Sequence, residues 1–210
     1  MNIDQFNILS VGVGGQGVIR ITQILASAAL LDNYHVRTAE THGMAQRGGS
    51  VSGYLRFGKL VDGPLISAGL ADMIMALEPL EAVRNIKYAG KKSIIFLNDK
   101  SVLPLSIYQS KKIFYPEFDD ILANLKKITK NVFFIKATEL AEKAGNVKTL
   151  NVIMLGVLFG TGILPLSEEN LEKSILKYVP AKAKDVNKIA FKLGIEEGQR
   201  IRSEIGRAHV

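Results

Sequence analysis

The order of apolar and polar residues along this chain predicts alternating strands and helices. Residues 6–11 form a short apolar run with β-branched members, which is typical of a buried strand. Residues 18–31 form a run that is too long for a strand and rich in Ala and Leu, so it predicts a helix. A second strand at 35–40 completes a β-α-β unit, for which we expect a right-handed crossover.

The rest of the chain continues this alternation and becomes helical towards its end. Further strands are predicted at 51–57, 71–77, 93–97 and 131–136, and further helices at 80–86, 117–129, 138–145, 149–159, from 167 onwards and at 182–202. Residues 101–115 follow neither pattern and predict an extended excursion. The sum is an α/β fold, Rossmann-like and doubly wound, with a mainly parallel sheet and a helical C-terminal portion.

The length of 210 residues suits one large α/β domain, which we expect to span residues 1–204. The last six residues, 205–210, resemble one reading frame of a sequencing adapter. We therefore expect an artefactual tail and give His209 no function.

Composition narrows the classes of protein that fit. Hydrophobic residues make up 47% and charged residues 22%, as in ordinary soluble proteins. No apolar run reaches membrane-spanning length and residues 1–5 do not resemble a signal peptide, so we expect a cytoplasmic protein without membrane contact. The net charge of +7 comes from lysines interleaved with acids, which supports a solvated surface better than nucleic-acid binding.

The chain contains no cysteine and only three histidines. This excludes disulfides, a thiolate nucleophile and an iron–sulfur cluster held by cysteines of this chain. We also expect no metal site, because zinc is usually held by Cys and His.

A glycine loop follows the first predicted strand and precedes the first helix. Gly12, Gly14 and Gly17 have G-x-G-x-x-G spacing, and Gly15 and Gln16 lie between them. Glycines allow a tight turn there, and free N–H groups at a helix start can bind an anion. The alternative is a turn that only packs the helix against the sheet. With Glu40 near the end of the second strand to hold a ribose, the unit also fits a dinucleotide enzyme.

A second polar, glycine-rich loop at 41–50 is not explained by a dinucleotide site. We expect the carboxyl end of the second strand to place it beside the first loop, at the edge where parallel sheets bind ligands. Three stretches carry a family resemblance: GVGGQGV at 12–18, ETHGMAQRGGSV at 40–51 and ALEPLEAVR at 76–84. They resemble the β subunit of indolepyruvate:ferredoxin oxidoreductase, a γ-type domain of the 2-oxoacid:ferredoxin oxidoreductases. The second stretch is the most specific, and the resemblance covers roughly residues 5–200.

The resemblance implies one subunit of an enzyme complex. The complex decarboxylates arylpyruvates with coenzyme A and oxidised ferredoxin, and yields aryl-acetyl-CoA, carbon dioxide and reduced ferredoxin. Thiamine diphosphate and [4Fe-4S] clusters lie on the larger α subunit in such families. The absence of cysteine and of a Gly-Asp-Gly motif agrees, so we expect this chain to be inactive without its α subunit.

The resemblance also implies that this chain helps to bind coenzyme A and completes an active site at the subunit interface. Candidate donors to phosphate or to the partner are the first loop, Gly12, Gly14, Gly15, Gln16 and Gly17. The candidates of the second loop and its approach are Glu40, Thr41, His42, Gln46, Arg47, Gly48 and Gly49.

Five of the second-loop candidates have alternative roles. Arg47 suits a phosphate or a 2-oxo acid carboxylate through its planar fork. His42 either polarises a carbonyl or orients the thiol of coenzyme A, or it only caps the loop. Glu40 either holds a ribose or pairs with Arg47, and Gly48 and Gly49 either shape the loop or admit a close backbone.

The sequence leaves three alternative functions open for the whole chain. The first is the γ subunit of a related enzyme for 2-oxoglutarate or pyruvate. The second is a stand-alone oxidoreductase that binds NAD or FAD. The third is a non-catalytic module whose glycine loops only dock against a partner.

Overall fold

A computed structural model describes residues 3–42, 48–102 and 114–207 of the chain. Six strands lie in these ranges: β1 Gln5–Val13, β2 His35–His42, β3 Ser50–Gly58, β4 Ala71–Ala76, β5 Ala89–Asn98 and β6 Val132–Ile135. They form one sheet in the order β2-β3-β1-β4-β5-β6.

Seven α-helices accompany the strands in the described ranges: α1 Val18–Leu31, α2 Pro79–Arg84, α3 Phe118–Lys126, α4 Ala137–Lys143, α5 Leu150–Gly160, α6 Glu168–Tyr178 and α7 Lys184–Arg207. Short 3₁₀ turns precede β5, α5 and α7 at Ile86–Tyr88, Val147–Thr149 and Ala181–Ala183. None of these helices is long and apolar enough to cross a membrane. The predicted α/β class with a helical C-terminal portion is confirmed.

The sheet is parallel from β1 through β4 and β5 to β6, whereas β3 pairs antiparallel with both β1 and β2. β1 and β2 therefore run in the same direction, as a β-α-β unit requires. However, β3 lies between them, which the sequence did not predict. Burial explains the order: β3 is buried along most of its length, whereas β2 exposes Arg37, Thr38 and Glu40 and suits an edge.

The two faces of the sheet carry separate hydrophobic cores. The larger core lies against α1 and the C-terminal helices, with Leu25, Phe57, Leu155 and Phe191 among its members. The smaller core lies against α2 and α3, around Ile74, Leu97 and Ile121. Helices therefore cover both faces, which is the doubly wound arrangement that the sequence predicts.

Helices α5 and α7 approach each other through glycines. A Cβ atom at Gly156 would lie 2.9 Å from the Cα atom of Gly194, and one at Gly198 would lie 2.8 Å from the Cα atom of Gly160. Such distances leave no room for a side chain, so glycine lets the two backbones touch. This contact sets how closely α5 packs against α7, and the first residues of α5 line the candidate site.

Three predicted boundaries differ from the structure or lie outside it. α2 ends at Arg84 because the side chain of Asn85 donates to the carbonyl of Glu81 at 2.9 Å. Of the predicted excursion at 101–115, residues 103–113 lie outside the described residues. α7 continues through the predicted tail to Arg207, and Ile205 is buried in the larger core.

Candidate functional site

The first glycine loop leaves the N-terminus of α1 without a side-chain cap. Gly17 is the N-cap residue with φ of 82°, and Gly15 has φ of 101°, a region that favours glycine. The first turn of α1 contains no acidic residue. The first N–H groups of a helix have no partner within it, and its dipole is positive at this end. The loop therefore presents a helix start that suits an anion.

The side chain of Gln16 joins the ends of two strands. Its Oε1 accepts from the backbone N–H of Val13 at 2.8 Å, and its Nε2 donates to the carbonyl of Leu77 at 3.1 Å. A Cβ atom at Gly12 would lie 2.7 Å from Oε1, so glycine at that position makes room for this amide. The amide of Gln16 thus supports the fold, and the backbone N–H of Gln16 donates to the carbonyl of Val13 at 3.1 Å. The candidate backbone donors of this loop to a ligand are therefore the N–H groups of Gly15 and Gly17.

The two glycine loops meet through their backbones. The N–H of Gly14 donates to the carbonyl of Gly49 at 2.8 Å, and the N–H of Gly48 donates to the carbonyl of Gly14 at 3.4 Å. The loops are therefore neighbours at the carboxyl edge of β1. The contact comes from the residues that lead into β3, and it occupies the N–H of Gly14.

An open cleft of about 640 Å³ begins at the first loop. The exposed face of α1 forms one wall, and the start of α5 forms the other; its lining residues include Gly15, Gly17, Arg20, Gln23, Lys148 and Asn151. Among the described residues that line the cleft, Arg20 and Lys148 are cations and none is an acid. Two cations beside an uncapped helix start make the cleft complementary to phosphate.

Glu40 lies away from the mouth of this cleft. It is exposed on β2 opposite Gly53 and lines a smaller cleft of about 200 Å³ together with Lys177. Gln23 lines both clefts, so Glu40 lies further along the same flank of α1. The structure does not bring Glu40 to the first loop.

The other candidates on β2 lie near the second loop. The side chain of Thr41 hydrogen-bonds with Tyr54, whose hydroxyl lies 3.1 Å from that of Tyr88. Burial, followed by the bond with Tyr88, raises the pKa of Tyr54 above its ordinary value. His42 pairs with Val51 in the strand, and its side chain is not among those described. Gln46 and Arg47 lie outside the described residues, so their roles stay predictions.

Sequence reasoning missed three residues that line the larger cleft. Arg20 follows Gly17 by three positions on the exposed side of α1, and this helical position is a signal that points to it. Lys148 and Asn151 come from a distant segment, and the amide of Asn151 occupies the space that a side chain at Gly17 would need. No local pattern links that segment to the glycine loop.

Metal binding finds no support in the part of the chain that the structure describes. Across those ranges, no group of three or more His, Cys, Asp or Glu side chains is placed to hold a metal ion.

Comparison with known proteins shows the family to which the chain belongs. Residues 7–197 match the family described as pyruvate ferredoxin/flavodoxin oxidoreductase. The chain therefore belongs to that family. The indolepyruvate oxidoreductase subunit IorB of Archaeoglobus fulgidus is 43% identical over 92% of this chain and 95% of its own length. Three further proteins of that name are 40% identical.

These relatives confirm the resemblance to the indolepyruvate β subunit, so the chain is a subunit of an oxidoreductase complex. Relatives named for ketoisovalerate, pyruvate or 2-oxoglutarate are only 26–28% identical.

Two solved structures share the fold. The keto/oxoacid ferredoxin oxidoreductase gamma subunit of Geobacter sulfurreducens PCA has a TM-score of 0.68 at 20% identity, over 93% of this chain and 99% of that one. The 2-oxoglutarate:ferredoxin oxidoreductase of Magnetococcus marinus has a TM-score of 0.67 at 16% identity, over 96% of this chain and 31% of that one. The second was solved with 2-oxoglutarate, coenzyme A and succinyl-CoA bound.

Proposed function

We propose that this chain is the β subunit of a ferredoxin-dependent indolepyruvate or arylpyruvate oxidoreductase. The complex oxidatively decarboxylates an arylpyruvate with coenzyme A, and yields aryl-acetyl-CoA, carbon dioxide and reduced ferredoxin. The 43% identity to an indolepyruvate oxidoreductase subunit, against 26–28% to relatives named for other 2-oxo acids, favours arylpyruvates over 2-oxoglutarate or pyruvate.

This chain's contribution is to bind coenzyme A, and the larger cleft is the observation that carries the proposal. Coenzyme A ends in a phosphorylated nucleotide, and the cleft offers the N-terminus of α1 together with Arg20 and Lys148. An arginine binds phosphate through two parallel N–H groups, while a lysine acts as a point charge. The coenzyme A bound in the structure from Magnetococcus marinus, which has the same fold, is consistent with this role.

The second loop contacts the reacting groups of the substrates in this proposal. The bonds between Gly14 and Gly48–Gly49 support this division, because they hold the described end of the second loop beside the first loop, where the larger cleft begins. Arg47 binds a carboxylate or phosphate there, and His42 orients the thiol or polarises a carbonyl. Both assignments are predictions from the sequence.

Thiamine diphosphate and the [4Fe-4S] clusters belong to the partner α subunit in this proposal. The chain has no cysteine to hold a cluster. Ferredoxin then accepts electrons through the complex, which we place in the cytoplasm. This chain completes the active site where the two subunits meet.

Co-expression with the α subunit tests the proposed function. The purified complex is assayed for ferredoxin reduction with indolepyruvate, phenylpyruvate, pyruvate and 2-oxoglutarate, with and without coenzyme A. We expect activity that requires coenzyme A and both subunits, with kcat/KM highest for the arylpyruvates. A preference for pyruvate or 2-oxoglutarate, or full activity of this chain alone, contradicts the proposal.

A further inference from the structure

Two carboxylates are buried at the sheet edge that carries the glycine loops. Glu78 and Glu81 are 2% and 0% exposed and lie at the junction of β4 and α2. A buried charge is costly unless hydrogen bonds and opposite charges compensate it. The partners of these two residues therefore show what the carboxylates hold in place.

Glu81 binds the residue at which the second loop joins the sheet. It accepts from the Oγ of Ser50 at 2.5 Å and from the guanidinium of Arg84, whose side chain is 51% exposed. Ser50 begins β3 and directly follows Gly48 and Gly49, which bond to Gly14. Glu81 thus binds the described end of the second loop through the side chain of Ser50, while Gly14 binds it through backbone hydrogen bonds to Gly48 and Gly49.

Glu78 supports this arrangement from the same turn. It is the N-cap residue of α2, and its Oε2 accepts from the backbone N–H of Glu81 at 3.0 Å. It also accepts from the hydroxyl of Tyr115. Burial, then the bond to Glu78, raises the pKa of Tyr115, so the tyrosine remains a donor. Each carboxylate of the turn therefore has a hydroxyl partner from a different part of the chain.

We propose that Glu81 is a positioning residue for the second loop, acting through Ser50 rather than by touching a substrate. This inference rests on the proposed function, because it takes the second loop as the part that faces the reacting groups. Without the charge on Glu81, the hydroxyl of Ser50 loses its strongest acceptor. The described end of the second loop then keeps its backbone bonds to Gly14 and the pairing of Ser50 with Val13, but it loses this side-chain link.

Misplacing a loop at the reacting end lowers kcat, whereas the phosphate cleft and its affinity for coenzyme A stay intact. The expected effect of Glu81→Gln is a fall in kcat of about tenfold, in the range that loss of a charged hydrogen bond produces, with the KM for coenzyme A changed less than about twofold. Ser50→Ala removes the same link from the other side and should lower kcat by a similar factor.

The test measures kcat and KM for indolepyruvate and coenzyme A in the complex with the α subunit. The variants are Glu81→Gln, Ser50→Ala, their combination, and Ser50→Thr, which keeps the hydroxyl. Glu139→Gln on the exposed surface of α4 is the control, since its partners are the lysines Lys136 and Lys143. We expect the double variant to lose no more than either single variant, and Ser50→Thr to keep most of the activity.

Three outcomes overturn the inference: unchanged kcat in Ser50→Ala, effects that multiply in the double variant, or a Ser50→Thr variant as impaired as Ser50→Ala. Ser50→Ala, at an exposed position, decides the matter even if Glu81→Gln does not fold. Assay of the wild-type complex distinguishes failure of the proposed function from failure of the positioning role of Glu81. If it lacks coenzyme A-dependent arylpyruvate oxidation, the proposed function fails. If it has that activity and the variants behave like Glu139→Gln, only the positioning role fails.

Discussion

At the scale of single residues, Gln16 performs a structural task inside a loop that faces a ligand cleft. Its amide accepts from Val13 and donates to Leu77, which joins the ends of β1 and β4. Both bonds are partly buried, so breaking them leaves backbone groups without their partner. The side chain thereby sets the shape of the loop.

Replacing Gln16 with leucine should destabilise the chain. We expect Gln16→Leu to lower the free energy of unfolding by about 2 kcal/mol, since two partly buried backbone groups lose their hydrogen bonds. Urea unfolding followed by circular dichroism measures the change. Gln199→Leu, at an exposed position of α7, is the control. Equal stabilities of the two variants would contradict the bridging role of Gln16.

The residues of the site were only partly predictable from sequence. The spacing of Gly14, Gly15 and Gly17 identifies the loop because strand, turn and helix are adjacent in the chain. Lys148 reaches the same cleft through the packing of α5 against α7, which no local pattern encodes. The position of Glu40 depends on which strand neighbours β1, and a single strand's pattern does not specify its neighbour.

At the scale of elements, the sequence predicts both ends of α1. It predicts that β3 is a strand, but not the position of β3 in the sheet. Residues 18–31 read as one helix because a glycine loop precedes them and Asp32-Asn33 follows as a turn. The alternation in 51–57 identifies a strand, but not its insertion between β1 and β2. The connection from β2 to β3 is too long for a tight hairpin, so turn chemistry gave no sign of the antiparallel pairing.

The glycine contact between α5 and α7 should tolerate no side chain. In Gly194→Ala, the added methyl group would lie 2.9 Å from the Cα atom of Gly156, so the helices must separate. We expect a loss of about 1–3 kcal/mol in the free energy of unfolding. Gly63→Ala is the matched control, because a Cβ atom there meets no atom within 4 Å. Thermal unfolding compares them, and similar melting temperatures would refute the close contact.

Asp32 ties the end of α1 to the start of α6. Its carboxylate accepts from the N–H of Ser167 at 2.7 Å, from the Oγ of Ser167 at 2.6 Å and from the Nδ2 of Asn170 at 2.6 Å. Burial raises the pKa of Asp32, but the hydrogen bonds from Ser167 and Asn170 outweigh it and hold the pKa below its ordinary value of 3.8. The charged form of Asp32 is thus favoured by folding.

This shift gives stability a defined pH dependence. Because the pKa is lower in the folded state, the contribution of Asp32 is complete above about pH 4 to 5 and is lost as the pH falls through the folded pKa. We expect Asp32→Asn to cost about 1–2 kcal/mol at pH 7 and clearly less at pH 3. Urea unfolding at both pH values measures this, with exposed Asp62→Asn as the control. A cost that is equal at both pH values would exclude the charge as its source.

At the scale of the whole molecule, the clefts argue against a stand-alone dinucleotide enzyme. Glu40, which would hold the ribose of NAD, lines a separate cleft with Lys177. The larger cleft between α1 and α5 has cations but no acid among its described lining residues. A ligand with more phosphate charge than NAD fits this electrostatic character better.

We therefore expect the isolated chain to give no saturable heat on calorimetric titration with NAD. Coenzyme A, titrated into the complex with the α subunit, serves as the comparison, because the interface completes the site. Saturable binding of NAD to the isolated chain would contradict this expectation and support the stand-alone dinucleotide enzyme.

Binding of coenzyme A by the cleft between α1 and α5 is the central claim, and the KM for coenzyme A tests it most directly. The complex is assayed with Arg20→Gln, Lys148→Gln and the double variant. Lys130→Gln is the control, because this exposed lysine precedes β6 at the opposite edge of the sheet.

We expect each single variant to raise the KM for coenzyme A by about tenfold, since each removes one charged contact to phosphate, with kcat and the KM for indolepyruvate nearly unchanged. The double variant should raise it further, and Lys130→Gln should behave like the wild type. An unchanged KM for coenzyme A in the double variant, in a complex that still assembles and turns over, would contradict the claim.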